Sequence, residues 1–141
     1  MENKKPWYIM IVALLLIYLI AWLLTQQEKV DAGQVEPAQR IGAEPFMVEC
    51  TAYCDTGITA SGKPTIEGLT IAGAREWLGC ACIMWDSEWN FIGIYQFTDT
   101  GYGRDGDIPR GETVDIYIPD YDACIQWGRQ DVYIQIIDGK G

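Results

Sequence analysis

The chain has 141 residues and a formal charge of −10, with 20 Asp and Glu, 10 Lys and Arg and no His. That length suits one folded domain. The acidic balance argues against nucleic acid, whose binding rests on neutralising phosphates, and the lack of His leaves carboxylates to do any proton chemistry near neutral pH.

Trp7 to Leu24 reads WYIMIVALLLIYLIAWLL, with neither charge nor glycine. Such a run is long enough to cross the hydrocarbon core as a helix. Trp7, Tyr8 and Trp22 lie near its ends, where interfacial aromatics belong, and Lys4 and Lys5 before it put the N-terminus in the cytoplasm. The rival reading, a cleaved signal peptide, needs a shorter apolar core and a small-x-small site. Leu23-Leu24-Thr25-Gln26-Gln27 offers no such site. Residues 1–27 are therefore expected to be a cytoplasmic stub and a single-pass membrane anchor, with the rest outside the cell membrane (secreted if the segment is cleaved). Residues 1–27 carry Glu2, Lys4 and Lys5, a net +1, so the remainder holds −11. Most of that charge serves solubility. Residues 28–45, rich in Gln, Glu, Ala and Gly, show no apolar periodicity and read as a linker.

Residues 46–141 form the expected domain, and its pattern is mainly β. Phe46 to Cys54 reads as a strand, followed by a turn through Asp55-Thr56-Gly57 and a loop over Thr59-Ala60-Ser61-Gly62-Lys63-Pro64. Leu69 to Gly73 is a short apolar strand. Cys80–Trp85 and Phe91–Thr98 flank Asp86–Asn90 as a hairpin. Val114–Ile118 and Val132–Ile137 are further strands rich in β-branched residues. Between them one short helix starts at Asp120 as N-cap and ends at Gly128, with Tyr121, Cys124 and Trp127 on one face. About six short strands with frequent turns suggest a small closed barrel with the helix packed on it.

The five cysteines, at 50, 54, 80, 82 and 124, allow up to two disulfides in an oxidising compartment. Without His or a CxxC pair they make a poor zinc site, and a catalytic Cys would lack an activating partner. Asp105 and Asp107 in Gly-Arg-Asp-Gly-Asp look like half a calcium loop but lack its downstream Glu. They read as a solvated loop. No metal and no cofactor are expected.

The order Thr51-Ala52-Tyr53-Cys54, Thr59-Ala60-Ser61-Gly62, Thr70-Ile71-Ala72, Asp99-Thr100-Gly101, Val114-Asp115-Ile116-Tyr117, Tyr121-Asp122-Ala123 and Trp127-Gly128-Arg129 resembles the 3D domain, a family named for three aspartates. The resemblance spans nearly all of residues 48–137. It implies a six-stranded double-psi β-barrel related to the barrel of membrane-bound lytic transglycosylase A and to RlpA-like and expansin-type barrels. It also implies action on peptidoglycan: cleavage of glycan strands without water, leaving a 1,6-anhydro product. The chain departs from the family pattern where the first aspartate belongs. Ile71-Ala72-Gly73-Ala74-Arg75-Glu76 stands there, with Ala74 at the aspartate's place, and Gly103–Asp107 lengthens the segment between the other two.

Asp99 and Asp115 carry over as the second and third aspartates. A lytic transglycosylase needs one protonated acid, which donates to the glycosidic oxygen and then takes the proton from the sugar's own 6-hydroxyl. Burial near Phe97 and Tyr117, or the nearby second carboxylate, would raise its pKa. Either aspartate is a candidate donor. Thr59, Ser61, Thr100 and Gly101 are candidates to bind sugar hydroxyls or hold the groove, and Trp89, in a polar loop, is a candidate wall contact. The alternative is a barrel that has lost its first aspartate and binds or loosens peptidoglycan without cutting it.

Overall fold

The computed structural model describes residues 7–31 and 35–139, with side chains over 10–23 and 35–139. Lys4 and Lys5 lie outside these residues, as do the side chains of Trp7 and Tyr8. The chain divides into two compact units between Val35 and Glu36. The first is one α-helix, α1 (Trp7–Asp31). Its described side chains are apolar all round and open, Leu14 at 63% and Tyr18 at 74% exposure. Among the described residues no helix is long and apolar enough to cross a membrane. The run expected to do so, Trp7 to Leu24, extends beyond the described side chains at both ends.

The second unit is a closed barrel of β1 (Phe46–Tyr53), β2 (Thr70–Gly73), β3 (Ala81–Asp86), β4 (Phe91–Thr100), β5 (Thr113–Tyr117) and β6 (Gln130–Ile137). Around the barrel the strands run β1-β5-β2-β4-β3-β6. The pairs β1/β5 and β2/β4 are parallel; the others are antiparallel. Advancing every strand number by three maps this pairing pattern, with its directions, onto itself. The barrel is therefore two interlocked three-strand halves, and each half supplies one strand to the central β2/β5 pair.

Alternation decides which side chains fill the interior. Val48, Cys50, Ile71, Cys82, Met84, Phe97, Val114, Ile116, Val132, Ile134 and Ile136 form one buried cluster. Trp77, in a short 3-10 turn Arg75–Trp77, is fully buried against Phe97, with ring centroids 5.2 Å apart, and against Phe46 at 6.1 Å. Its indole Nε1 donates to Pro37 O over 2.7 Å.

That contact ties Pro37 to the core of the barrel unit. Residues 36–45 belong to the barrel unit, with a 3-10 turn Pro37–Arg40, a buried Pro37 and a bridge from Ile41 to Ile136. Their anchoring depends on one proline and one isoleucine meeting distant residues, which no local period reveals. The expected helix forms as α2 (Tyr121–Trp127), capped by Asp120 Oδ1 accepting from Ala123 N over 2.8 Å and closed by Gly128. Cys124 is its buried residue, while Tyr121 is 65% exposed, so the expected three-residue inner face narrows. All five cysteines are free.

Two substitutions test this core. Trp77→Ala should cost roughly 3–5 kcal/mol of unfolding free energy in a urea titration, since it removes both the aromatic packing and the anchor for Pro37. At Gly73 an added Cβ would collide with the Phe97 ring and lie 2.9 Å from Trp77 Cε3, so Gly73→Ala should cost about 1–3 kcal/mol in the same titration.

Candidate active site

The two aspartates reach one place through the strand register. Ala72 of β2 pairs with Asp99 of β4 on one side and with Asp115 of β5 on the other; Asp115 in turn pairs with Thr51 of β1. Asp99, Ala72, Asp115 and Thr51 thus form a row across four strands. Two strand spacings put the aspartate Cα atoms roughly 10 Å apart. The neighbours Val114 and Ile116 point into the core, so Asp115 points to the outer wall.

For Asp99 alternation alone gives the wrong face. Phe97 is fully buried inside the barrel, and two residues on, Asp99 would point inside as well. The β2/β4 register shifts between Ile71 and Ala72: Ile71 pairs with Phe97, and Ala72 with Asp99. Thr98 is the extra residue. Such a bulge turns the following side chain to the other face, which brings Asp99 out beside Ala72 and Asp115.

The loop after β1 docks on this bulge. Ser61 N donates to the Thr98 carbonyl over 2.9 Å, and Ala60 N to Asp99 Oδ1 over 3.0 Å. Asp99 Oδ1 also accepts from Thr100 N (2.9 Å), and Oδ2 accepts from the Tyr53 hydroxyl (2.9 Å). Asp115 Oδ1 accepts from Thr51 Oγ1 over 2.9 Å. Thr56 Oγ1 and the Tyr117 hydroxyl lie 2.5 Å apart and tie the loop to β5.

Between loop and barrel wall lies a cleft of about 410 Å³, lined by Tyr53, Asp55, Thr56, Gly57, Ile58, Thr65, Ala72, Asp99, Thr100, Gly101 and Asp115. Asp99, Asp115, Thr100 and Gly101 of the expected site are all in it. Thr59 and Ser61 are not in the lining. Thr59 is buried and its Oγ1 donates to Lys63 O over 2.8 Å, with Ser61 Oγ 3.0 Å away, so this pair shapes the loop that carries Ala60 to Asp99. Trp89 also lies outside the lining. It sits in the β3/β4 hairpin with a left-handed φ of 67° and stacks on Tyr133 at 4.0 Å. About nine strand residues separate that hairpin from Asp99, or roughly 30 Å along β4.

Ala74 is wholly buried in the core cluster and does not face the cleft; the small residue between the two carboxylates is Ala72. Sequence reasoning missed Tyr53, Asp55, Thr56 and Thr65 as cleft residues. Tyr53 had a readable signal, since it lies in the strand two residues from Thr51 and before the Asp55-Thr56-Gly57 turn. Asp107, read as solvated, is instead buried at 8% exposure, where it accepts from Thr113 Oγ1 over 3.0 Å and lies 3.9 Å from Arg129. Arg129 also pairs with Glu49. Among the described residues no cluster of His, Cys, Asp and Glu fits a metal ion.

Burial raises the pKa of Asp115 above the ordinary carboxylate value, and the charges of Asp107 and Asp99 add to it, against the Thr51 hydrogen bond. Burial and the hydrogen bond to Asp99 push the Tyr53 phenol up as well, so it stays a donor. Asp115 thus holds its proton to higher pH than an ordinary carboxyl, with the charges of Asp107 and Asp99 acting on it.

A group that binds its proton more tightly when folded makes stability fall as pH rises from its unfolded value through its folded value. Asp115→Asn should therefore flatten the fall in thermal midpoint above about pH 4, leaving the midpoint near pH 3 almost unchanged. A melting series across pH on both proteins checks this.

No family model and no curated protein matches the chain.

Proposed function

We propose that the barrel is a double-psi barrel of the 3D type that cleaves peptidoglycan glycan strands as a lytic transglycosylase. The observation that carries this reading is the row Asp99–Ala72–Asp115 opening into a single cleft on the barrel wall. Ala72 leaves room between the carboxylates for a sugar ring. Asp115, with its raised pKa, is the acid. It donates its proton to the glycosidic oxygen as the bond to C1 breaks. As carboxylate it then accepts the proton of the sugar 6-hydroxyl, whose oxygen bonds to C1 and closes the anhydro ring. Asp99, held by Tyr53, Ala60 and Thr100, presents a fixed negative charge to the positive charge that builds on the ring.

α1 is proposed as the membrane anchor, with the barrel outside. Its support is the uncharged run Trp7–Leu24 and the uncovered apolar side chains of residues 10–23, which water solvates poorly. A second reading, a barrel that binds glycan without cutting, is favoured by one observation. Only two acids line the row, and the place of the first family aspartate is Ala74, sealed in the core.

The two readings separate on incubation of the full chain with purified peptidoglycan, followed by mass spectrometry. Anhydro-muropeptides are expected, and Asp115→Asn should reduce their rate by about 100-fold or more. Activity should fall as pH rises through the raised pKa of Asp115. Asp99→Asn removes a charge that raises that pKa, so its falling limb should move to lower pH. Co-sedimentation with the wall without anhydro products from the wild-type protein would overturn the enzyme reading and leave the binding one.

A further inference from the structure

The loop between β4 and β5 buries a carboxylate that folding alone does not favour. Asp107 is 8% exposed; its Oδ2 accepts from Thr113 Oγ1 over 3.0 Å, while its Oδ1 is buried with no hydrogen-bond partner. A buried carboxylate satisfied on one oxygen only is destabilising by itself. The loop nevertheless holds it in place. Arg110 grips Glu112 through hydrogen bonds of 2.9 and 2.8 Å and donates to the Asp105 carbonyl over 2.7 Å. Asp107 N donates to Arg104 O, and Glu112 N to Asp107 O, each over 3.0 Å. Gly103 lies against the carboxyl with a left-handed φ of 67°, and a Cβ there would collide with Asp107 Oδ1.

The neighbour that this placement reaches is Asp115. Thr113 and Asp115 flank the core residue Val114 on β5, so both lie on the outer face, with Cα atoms roughly 7 Å apart. The Thr113 hydroxyl therefore fixes the Asp107 carboxylate beside Asp115 on the barrel wall. Arg129 lies 3.9 Å from Asp107 Oδ2 but also pairs with Glu49, the register partner of Thr113 on β1, so it offsets the Asp107 charge only in part. Asp107 is outside the cleft lining and acts without touching a ligand there. We propose that Asp107 is a positioning residue: its charge, fixed behind the cleft by the β4/β5 loop, keeps the proton on Asp115.

A like charge held nearby favours the neutral form of a carboxyl. Burial comes first in raising the Asp115 pKa, and of the two charges acting on it Asp107 is the stronger, ahead of Asp99 on β4. The other titratable groups that interact with Asp115 are Tyr53 and Cys50 on β1 and Cys124 on α2. Burial pushes all three up, so they carry no charge where carboxyls titrate. Tyr117 lies two residues further along β5. Asp107 bears on catalysis only through the proposed role of Asp115 as the acid, but its hold on the Asp115 proton does not depend on glycan.

The test follows the Asp115 carboxyl by NMR across pH in the full chain, held in detergent, with carbon-13 at the aspartate side-chain carboxyls. Asp115→Asn identifies the signal by removing it. In Asp107→Asn the Asp115 midpoint is expected to fall by roughly 0.5–1 pH unit. In the unaltered chain the Asp107 signal should show a second step at the Asp115 midpoint, as coupled carboxyls do. A role in folding alone would lower the thermal midpoint of Asp107→Asn and leave the Asp115 titration unmoved, and that result would overturn the proposal. If Asp107→Asn does not fold, the second step in the unaltered chain decides, and its absence overturns the proposal. A wild-type chain that yields no anhydro-muropeptides counts against the enzyme and not against this charge. An unmoved Asp115 midpoint counts against this charge and not against the enzyme.

Discussion

The site rests on one irregularity in the β2/β4 ladder. Parallel pairing sets Ile71 against Phe97, and the extra residue Thr98 then sets Ala72 against Asp99. Without that bulge Asp99 would share the Phe97 face and bury a carboxylate among apolar side chains, at a cost of several kcal/mol unless it gave up its charge. With it, the core row and the acid row separate cleanly. Phe97, Ile71, Ile116 and Ala52 run along the inside; Asp99, Ala72, Asp115 and Thr51 run along the outside. At the bulge the Thr98 carbonyl accepts from Ser61 N.

This gives the Thr59-Ala60-Ser61-Gly62 segment a structural meaning. Its backbone carries donors to the bulge and to Asp99, while its hydroxyls hold the turn that presents them. Gly62 takes a φ of 78°, which suits glycine. The loop therefore closes one side of the cleft and orients its fixed acid at the same time. Small residues are required where the wall is crowded. Ala72 spaces the acids, and Gly73 lies under the Phe97 and Trp77 rings.

The two carboxylates meet different groups. Asp99 is met by backbone N–H groups and a phenol; Asp115 meets one hydroxyl and two other acids. A chain with a surplus of acid and no His can still hold a proton at one site this way, because burial and like charge both favour the neutral form of a carboxyl. The buried Asp107 belongs to this arrangement through its charge, although its contacts are to Thr113 and Arg129.

Local pattern made the six strands and the capped helix legible to within a few residues, since alternation, turn residues and the Asp120 and Gly128 caps are properties of neighbours in the chain. The two aspartates were legible as candidates, Asp99 where an apolar run meets a turn and Asp115 within a strand. Their shared face was not, because a bulge is decided by which residue of a distant strand lies opposite. Nor were the anchoring of Pro37 by Trp77, the placement of Trp89 away from the cleft and the burial of Asp107. Each joins residues that lie far apart in the chain or in different elements. The sequence by itself determined the elements and the chemistry available to them. Only barrel closure decided which of those groups face one another, since register is set by the packing of all six strands together.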